Sequence, residues 1–336
     1  MQKKKFLFSR QAVDYYFDAR LSDLKSLVPQ NKGVIITDVH LAGLYAKKLK
    51  GWKVIVLKAG EQYKVQATVD RVMLELIEWG ADRSTTLIGI GGGVITDLTG
   101  YIASTFLRGV PFGFVPTSLL AMVDASIGGK NGIDVGVYKN MVGTINQPRF
   151  LLFDPTVLKT LPEREWRNGF AEIIKHAAIK DAKLFRELEA ATIRHYQKNG
   201  KALEALIRRN ALIKTKVVQE DEFEKGERRL LNFGHTLAHA VETPYGLMHG
   251  EAVAIGMAFA SGLSRDLLGF THHERLLRLT EQYFLPVALD FDREKAFQVL
   301  RSDKKKEADF MNFVLLEKLG KARTERIPLT QLYQYL

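Results

Sequence analysis

The sequence predicts an α/β N-terminal domain with a parallel, Rossmann-like sheet, followed by a mainly α-helical C-terminal domain. From about residue 33 to about residue 155, short runs of β-branched residues alternate with segments of helical periodicity. A glycine-rich turn at residues 89–94 joins a predicted strand to a predicted helix. Beyond Pro155, long segments with helical spacing replace the β-branched runs. Such alternation is typical of a parallel sheet with helices on both faces.

Each element of the first half follows from its own pattern. Runs rich in valine, isoleucine and threonine predict strands, and apolar residues that recur every three or four positions predict helices. The predicted strands are residues 33–37, 53–57, 85–90 and 112–115, and the predicted helices are residues 41–49, 69–79 and 94–106.

The second half is predicted to be helical. The predicted helices there include residues 166–179, 202–218 and 235–242. Asp154-Pro155 and Leu161-Pro162 interrupt the chain between the two halves. We therefore predict domains at residues 1–158 and 159–336.

Length and composition limit the class of protein. The chain has 336 residues, of which 46% are hydrophobic and 26% charged, enough for one large core or two smaller ones. It lacks the roughly 18 to 20 consecutive apolar residues of a membrane-spanning helix, and any long apolar signal segment, so we expect a soluble cytoplasmic protein without a membrane partner. Because the sequence contains no cysteine, histidines and carboxylates are the strong metal ligands available.

The chain is basic, since 49 Lys and Arg residues against 38 Asp and Glu residues give a net charge of +11. A nucleic-acid partner is one interpretation of this charge. The basic residues are spread along the chain and mostly interleaved with acidic ones, so we predict no nucleic-acid partner. A small phosphorylated substrate suits the charge equally well.

The glycine turn at residues 89–94 is a candidate phosphate site, because it follows a strand and opens a helix whose N-terminal amides point toward it. It departs from the Rossmann dinucleotide fingerprint, since Val94 occupies the sixth position and the turn lies late in the sheet. A tight turn without a nucleotide is an equally good interpretation. Asp97, one turn into the helix, either contacts a ribose or nicotinamide amide or complements the helix dipole.

Three histidines fall within fifteen residues, His235, His239 and His249. The first two are four residues apart and share a helix face, which makes this segment a candidate metal centre. Metalloprotease chemistry is disfavoured, because threonine follows His235 where that pattern requires glutamate. Helix histidines satisfied by ordinary hydrogen bonds are the alternative interpretation. The further ligand candidates, among which spacing alone does not choose, are Glu172, Glu242, Glu251 and His176.

A polar loop with several glycines covers residues 124–140. Gly128-Gly129 before Lys130 suggests a backbone curled around an anion, with the ammonium group as counter-charge. A structural loop with solvated lysines is the alternative interpretation.

These elements and several further motifs occur together in one order. The most specific motifs are residues 91–97 (GGGVITD), 116–124 (PTSLLAMVD), 128–130 (GGK), 139–140 (KN), 161–165 (LPERE), 171–175 (AEIIK), 231–236 (LNFGHT) and 249–257 (HGEAVAIGM). With them, the chain resembles the 3-dehydroquinate synthases over roughly residues 33 to 315.

The resemblance implies an N-terminal NAD-binding domain, a C-terminal domain that binds zinc or cobalt and the substrate, and a homodimer. It implies that the metal ligands are Glu172, His235 and His249, and it leaves His176 a packing role. The implied dinucleotide site consists of Asp38, Glu61, Lys64, Gly92, Gly93, Val94, Asp97, Thr117, Ser118, Lys130 and Lys139. The implied substrate contacts and catalytic residues are Asp124, Lys130, Asn140, Lys175, Lys214, Arg228, Asn232, His239 and Lys304, with Arg108 from the neighbouring subunit.

Some positions depart from the family's usual pattern. His40 stands where asparagine is more usual, and Asn131 and Asp134 replace the more usual threonine and asparagine. The spacing before His249 is slightly short, and the lysine directly after Lys304 is an alternative phosphate contact.

The implied reaction is that of a lyase of the shikimate pathway, which leads to chorismate and the aromatic amino acids. 3-Deoxy-D-arabino-heptulosonate 7-phosphate would be oxidised transiently by NAD, lose phosphate, be reduced again and close to 3-dehydroquinate by an aldol step. A sibling cyclase such as 2-deoxy-scyllo-inosose synthase is the nearest alternative. Arg228 and Lys214 argue against it, because its substrate lacks the carboxylate that they would hold. A metal-dependent polyol dehydrogenase and a non-catalytic nucleic-acid-binding module are the more distant alternatives.

Overall fold

The computed structural model describes residues 1–136, 138–302, 306–307 and 309–336, so the predicted substrate contact Lys304 lies outside the described residues. The chain forms two compact units. The first consists of Met1–Leu161 with Gly200–Glu222, and the second of Pro162–Asn199 with Phe223–Leu336. They differ from the predicted domains, residues 1–158 and 159–336, mainly because one helix of the second half belongs to the first unit.

The regular elements are numbered here in chain order. The described strands are β1 (Gln2–Leu7), β2 (Ala12–Phe17), β3 (Gly33–Asp38), β4 (Lys53–Leu57), β5 (Thr86–Gly91), β6 (Phe112–Pro116), β7 (Lys130–Val135), β8 (Tyr138–Ile145), β9 (Phe150–Leu152), β10 (Lys306–Glu307), β11 (Phe310–Lys318) and β12 (Lys321–Pro328). The described α-helices are α1 (Leu24–Leu27), α2 (Val39–Leu44), α3 (Ala46–Leu49), α4 (Gln66–Glu78), α5 (Gly93–Thr105), α6 (Glu163–Lys180), α7 (Ala182–Glu189), α8 (Ile193–Lys198), α9 (Gly200–Glu220), α10 (His235–Val241), α11 (His249–Leu268), α12 (His273–Gln282), α13 (Arg293–Ser302) and α14 (Leu329–Tyr335). Among these helices, none combines the length and the apolar character that crossing a membrane requires.

The first unit is built on a seven-stranded sheet in the order β1-β2-β9-β6-β5-β3-β4. Every pairing in it is parallel except β1 with β2, which confirms the predicted parallel α/β class. In register, Ile35 of β3 lies between Val54 of β4 and Ile88 of β5. The β-branched residues of β3 are buried, as expected for a strand covered on both faces. Strands β1, β2 and β9 were not predicted, and they extend the sheet on one side.

Helix α4 has one apolar face, as its sequence pattern predicts. Val69, Val72 and Leu76 are buried at helical spacing, whereas Leu74 and Ile77 on the other side are exposed. The buried face packs against α5 and β4. Burial of each such side chain contributes about 1.5–3 kcal/mol.

Helix α9 belongs to the first unit because its side chains bond to β2 and the turn that follows it. The buried Thr215 hydroxyl lies 3.0 Å from the Tyr15 hydroxyl. The Arg208 guanidinium contacts the Asp18 carboxylate at 2.7 Å. These contacts span almost 200 residues of sequence, which is why helical periodicity alone could not assign α9 to a domain.

The second unit is mainly helical, as predicted, and contains an additional three-stranded antiparallel sheet, β10-β11-β12. This sheet was not predicted, and its strand β12 alternates charged with small residues, which is typical of a polar segment. Gly320 makes the turn between β11 and β12 with a φ of +78°, and its N–H donates to the carbonyl of Ala178 in α6. The sheet is thereby attached to α6, an 18-residue helix whose residues are mostly buried.

Candidate active site

The turn between β5 and α5 consists of glycines, so it has no side chain of its own to cover the backbone at the start of the helix. A Cβ on Gly91 would lie 2.4 Å from the Cβ of Ile95, so the turn requires glycine there. Gly92 is the N-cap, and no described side chain caps the helix in its place. The N-terminal amides of α5 are therefore available to an anion, and this donor set fits the pyrophosphate of a dinucleotide.

Three adjacent parallel strands, β3, β5 and β6, end at this edge of the sheet. Asp38 ends β3, and its Oδ1 accepts from the amides of His40 at 2.9 Å and Leu41 at 3.0 Å. Thr117 follows β6, and its N–H donates to the Gly91 carbonyl at 2.9 Å. Because ligands of open α/β sheets bind beyond the carboxyl ends of the strands, these residues lie where a dinucleotide would bind.

The buried Lys64 is the centre of a cluster of charged and polar groups in the first unit. Its Nζ lies 2.6 Å from Asp97 Oδ2, 3.7 Å from Glu61 Oε1 and 2.6 Å from Asn140 Oδ1. Burial opposes the charged amine, but Asp97 and Glu61 outweigh it and raise the pKa of Lys64 above its usual range. Burial raises the pKa of Asp97, although Lys64 opposes this. The cluster links three of the predicted dinucleotide residues to a predicted substrate contact.

Strands β7 and β8 form a hairpin that carries the polar residues of the loop at 124–140. Lys130 opens β7, and Lys139 and Asn140 lie in β8. Asn131, one of the departures from the family pattern, is buried, and its Nδ2 donates to the carbonyls of Gly129 and Asn146 at 2.8 and 3.0 Å. Asn131 therefore supports the hairpin.

Lys214 and Asp124 pair within the first unit. Lys214 lies in α9, and its Nζ is 2.8 Å from Asp124 Oδ1 and 2.7 Å from the Asp124 carbonyl. Asp124 lies in a single π-helical turn, Ala121–Ala125. Both predicted substrate contacts thus hold each other in fixed positions.

In the second unit, Glu172, His235 and His249 bring one ligand atom each to within 4.8 Å of one another. Glu172 Oε1 lies 3.3 Å from His249 Nε2 and 3.7 Å from His235 Nε2. Tetrahedral zinc, with bonds of about 2.0–2.1 Å, places its ligand atoms about 3.3–3.4 Å apart. The donor set of one carboxylate and two imidazoles therefore fits a catalytic metal with an open coordination position.

Three helices position these ligands. Glu172 lies in the middle of α6, His235 is the first residue of α10, and His249 is the first residue of α11. Gly234, the N-cap of α10, adopts a φ of +81°, and a Cβ on Gly256 of α11 would lie 1.8 Å from the Gly234 carbonyl oxygen. The close packing of α10 on α11 depends on these two glycines, and it brings both histidines to the same carboxylate.

The environment of the two imidazoles differs. Burial, followed by the nearby Lys175, holds the pKa of His235 well below its usual range, so this ring is neutral and ready to bind a metal. Burial also acts against the charged form of His249, but hydrogen bonds to Glu172 and Glu242 raise the pKa of His249 to about 9. Lys175 contacts the Glu172 carboxylate directly, one helical turn along α6.

The remaining ligand candidates have other positions. Glu242 Oε2 lies 3.4 Å from His249 Nδ1, on the opposite side of the ring from Glu172. Glu251 accepts from the Met248 amide at the start of α11 and pairs with Arg164 at 3.1 Å, so it acts as a helix cap. His176 is fully buried in α6. Tertiary structure thus makes Glu251 a helix cap, whereas a ring nitrogen of His176 also lies within 4.8 Å of a Glu172 carboxylate oxygen.

Other predicted substrate contacts of the second unit lie close in sequence to the candidate metal ligand His235. His239 lies one turn after His235, with ring centroids 6.0 Å apart. Arg228 is 2% exposed. Asn232 donates to Glu224 Oε1 at 2.7 Å, and Glu224 has a φ of +58°. This contact of Glu224 was not predicted, because a left-handed backbone and a side-chain hydrogen bond are visible only in three dimensions.

Arg108 lies in an unusual turn of the first unit. Leu107 and Arg108 both have positive φ, at 49° and 66°, and Gly109 follows at 119°. Leu107 is 40% exposed. The turn follows α5 directly, at the surface of the unit.

Both halves of the chain match one known protein family. The family description "3-dehydroquinate synthase N-terminal" matches residues 54–168, and "3-dehydroquinate synthase C-terminal" matches residues 169–306. The 3-dehydroquinate synthase of Dehalococcoides mccartyi is 42% identical over 311 residues, which cover 88% of this chain and 86% of that protein.

Two solved structures resemble the chain over nearly its whole length. A 2-epi-5-epi-valiolone synthase from Streptomyces hygroscopicus, with NAD⁺ and Zn²⁺ bound, has a TM-score of 0.88 at 29% identity, and the match covers 99% of this chain and 98% of that one. A 2-deoxy-scyllo-inosose synthase in complex with carbaglucose-6-phosphate, NAD⁺ and Co²⁺ has a TM-score of 0.87 at 26% identity, with the same coverage. The matches along both halves and the identity to the curated relative lead to one conclusion: the chain belongs to the 3-dehydroquinate synthase family.

Proposed function

We propose that this chain converts 3-deoxy-D-arabino-heptulosonate 7-phosphate to 3-dehydroquinate and phosphate, with NAD and zinc or cobalt as cofactors. The observation that carries the proposal is the convergence of Glu172, His235 and His249 in a chain of this family. Identity supports the choice of substrate, since it is 42% to a 3-dehydroquinate synthase but 29% and 26% to the two cyclases of other rings.

Glu172, His235 and His249 would hold the metal. When bound, the metal supplies Lewis acidity to the substrate hydroxyls, and NAD accepts and returns a hydride. The neutral His235 needs no proton loss to act as a ligand, whereas His249 must give up a proton. The ammonium group of Lys175 pairs with the buried Glu172 carboxylate.

The dinucleotide would bind at the carboxyl edge of the sheet in the first unit, with its pyrophosphate at the start of α5. Gly92, Gly93 and Val94 would present backbone amides to the phosphates. Asp97 and Lys64 form a buried ion pair that would face the nicotinamide end. The remaining residues proposed for this site are Asp38, Glu61, Thr117, Ser118, Lys130 and Lys139.

The substrate's two anions would have separate partners. Arg228 and Lys214 would hold the carboxylate, and the planar guanidinium can bond both of its oxygens. Lys130, Asn140, Asn232 and His239 would donate to the phosphate and stabilise the charge as it leaves. Lys304 is proposed for the same role. Asp124 would orient the hydroxyl that loses its proton.

We further propose a cytoplasmic homodimer in which Arg108 of each copy reaches the substrate site of the other. Its support is the surface turn at Leu107–Gly109, in which two residues adopt strained left-handed conformations. Such strain is retained where it positions a functional side chain. The same proposal gives the domains their roles, with NAD in residues 1–158 and metal and substrate in residues 159–336, and assigns no nucleic-acid or membrane partner.

The proposal is tested by incubating the purified protein with the heptulosonate phosphate, NAD and Zn²⁺ or Co²⁺, and measuring released phosphate and 3-dehydroquinate. The expected result is stoichiometric release of both, without net NADH. Glucose 6-phosphate, a sugar phosphate without a carboxylate, serves as the comparison substrate. Phosphate release from glucose 6-phosphate alone would point to a sibling cyclase, and accumulation of NADH to a polyol dehydrogenase.

A further inference from the structure

Asn140 is held in a conformation that side chains rarely adopt. Its φ is +55°, in the left-handed region, where asparagine is one of the more tolerant residues but still disfavoured relative to glycine. Asn140 is exposed, in β8, and so is available to a ligand. A strained residue at a functional site persists only where its neighbours fix it.

Two neighbours fix it from different elements of the first unit. Asp134 in β7 accepts from the backbone N–H of Asn140 through Oδ1 at 2.8 Å. Lys64 donates from Nζ to the side-chain Oδ1 of Asn140 at 2.6 Å. One contact holds the backbone, and the other holds the side chain.

Asp134 is itself held in place. It is 9% exposed, its N–H donates to the Lys64 carbonyl at 2.8 Å, and it forms a bridge with Val65. Asp134 and Lys64 therefore form one rigid bracket around Asn140. The bracket also contacts Asp97 through Lys64.

The bracket determines which end of the Asn140 amide faces outward. A lysine ammonium group only donates hydrogen bonds, so the amide oxygen must face Lys64. The amino group is then the end presented to a ligand, and it is a donor. A donor suits an anionic oxygen such as that of a phosphate group.

We propose that Asp134 is a positioning residue for substrate phosphate, which acts by holding Asn140 in the left-handed conformation while Lys64 orients its amide. The inference rests on the proposed function, since it takes Asn140 as a phosphate contact. The contact needs one accepting oxygen at position 134, which a carboxylate or a side-chain amide supplies and an alanine does not.

The test is a double-mutant cycle of Asp134→Ala and Asn140→Gly, with Asp134→Asn as the conservative variant. Glycine adopts the left-handed conformation without strain and has no side chain to position, so Asn140→Gly keeps the hairpin and removes the group on which Asp134 acts. Each variant is measured for kcat/KM of phosphate release, for affinity for inorganic phosphate by calorimetry, for NAD affinity and for Tm.

Asp134→Ala should lower kcat/KM and phosphate affinity by about 10- to 100-fold, the range of a lost charge-assisted hydrogen bond. NAD affinity should stay within about threefold of the wild type, as should all values for Asp134→Asn. In the Asn140→Gly background, Asp134→Ala should cause no further loss.

If Asp134→Ala lowers kcat/KM and phosphate affinity by the same factor in the Asn140→Gly background, the proposal is overturned, because Asp134 then acts independently of Asn140. An Asp134→Asn variant as impaired as Asp134→Ala would overturn it too. If the wild type does not turn over the heptulosonate phosphate, the proposed function fails, yet the phosphate-binding cycle still decides the inference. If the wild type does not bind inorganic phosphate, the inference about Asp134 is refuted.

Discussion

Replacing Lys64 with methionine should lower the unfolding free energy of the first unit by about 3–5 kcal/mol, the usual effect of breaking a buried ion pair. The Lys64 side chain is 4% exposed and that of Asp97 is 19% exposed, so solvent screens their 2.6 Å contact only weakly. Methionine is unbranched like lysine, is one atom shorter and carries no charge. The carboxylates of Asp97, Glu61 and Asp134 then lie together without the cation at their centre.

The effect should depend on pH in a defined direction. Burial already raises the pKa of Asp97 above its ordinary value of 3.8, and Lys64 is the largest opposing influence. Without Lys64 the pKa of Asp97 in the folded state rises further. When the pKa of a carboxyl group is higher in the folded state than in the unfolded state, its ionisation destabilises the folded state. That loss develops as the pH rises from the unfolded-state pKa through the folded-state pKa. The loss of unfolding free energy caused by Lys64→Met should therefore be smallest near pH 4 and reach its full value at pH 8.

The assay is urea unfolding without NAD, followed by tryptophan fluorescence. Trp52 and Trp79 lie in the first unit and Trp166 in the second, so a Trp166→Phe background reports on the first unit alone. Lys216→Met is the matched control, because Lys216 is 80% exposed and lies 4.0 Å from Glu220 in an ion pair worth about 0.3–0.5 kcal/mol. A loss below about 1 kcal/mol at pH 8, or a larger deficit at pH 5 than at pH 8, would refute the reasoning.

The remaining predictions concern the second unit. His235→Ala should abolish the bound metal and the turnover while leaving the protein folded; one retained equivalent of zinc by atomic absorption would contradict the ligand assignment. Glu242→Gln should weaken zinc binding about 10- to 100-fold by chelator competition, because it replaces the charged oxygen beside His249; unchanged affinity would argue against that contact. Gly256→Ala should lower the Tm and the zinc affinity together, since its Cβ would displace the Gly234 carbonyl before α10; a variant with wild-type values would mean that the helices separate at no cost.

The sequence by itself determined the elements whose patterns are local. The β-branched runs and glycine turn of the first half predicted β3 to β6 and α5, because strand and helix periodicity and turn chemistry involve residues near one another in the chain. Ordered motifs along the chain were also sufficient to identify the family, which the matches along both halves confirm.

Tertiary structure decided what depends on distant contacts. Helix α9 joins the first unit through Thr215 and Arg208, and β10 to β12 form a sheet whose charged outer strand has no strong pattern. Spacing could not choose among the carboxylates near the histidines; the close approach of α10 to α11 brings His235 and His249 to Glu172 and leaves Glu251 as a helix cap. The physical reason is the same in each case, since a side chain's role depends on atoms that only the folded chain brings within a few ångströms.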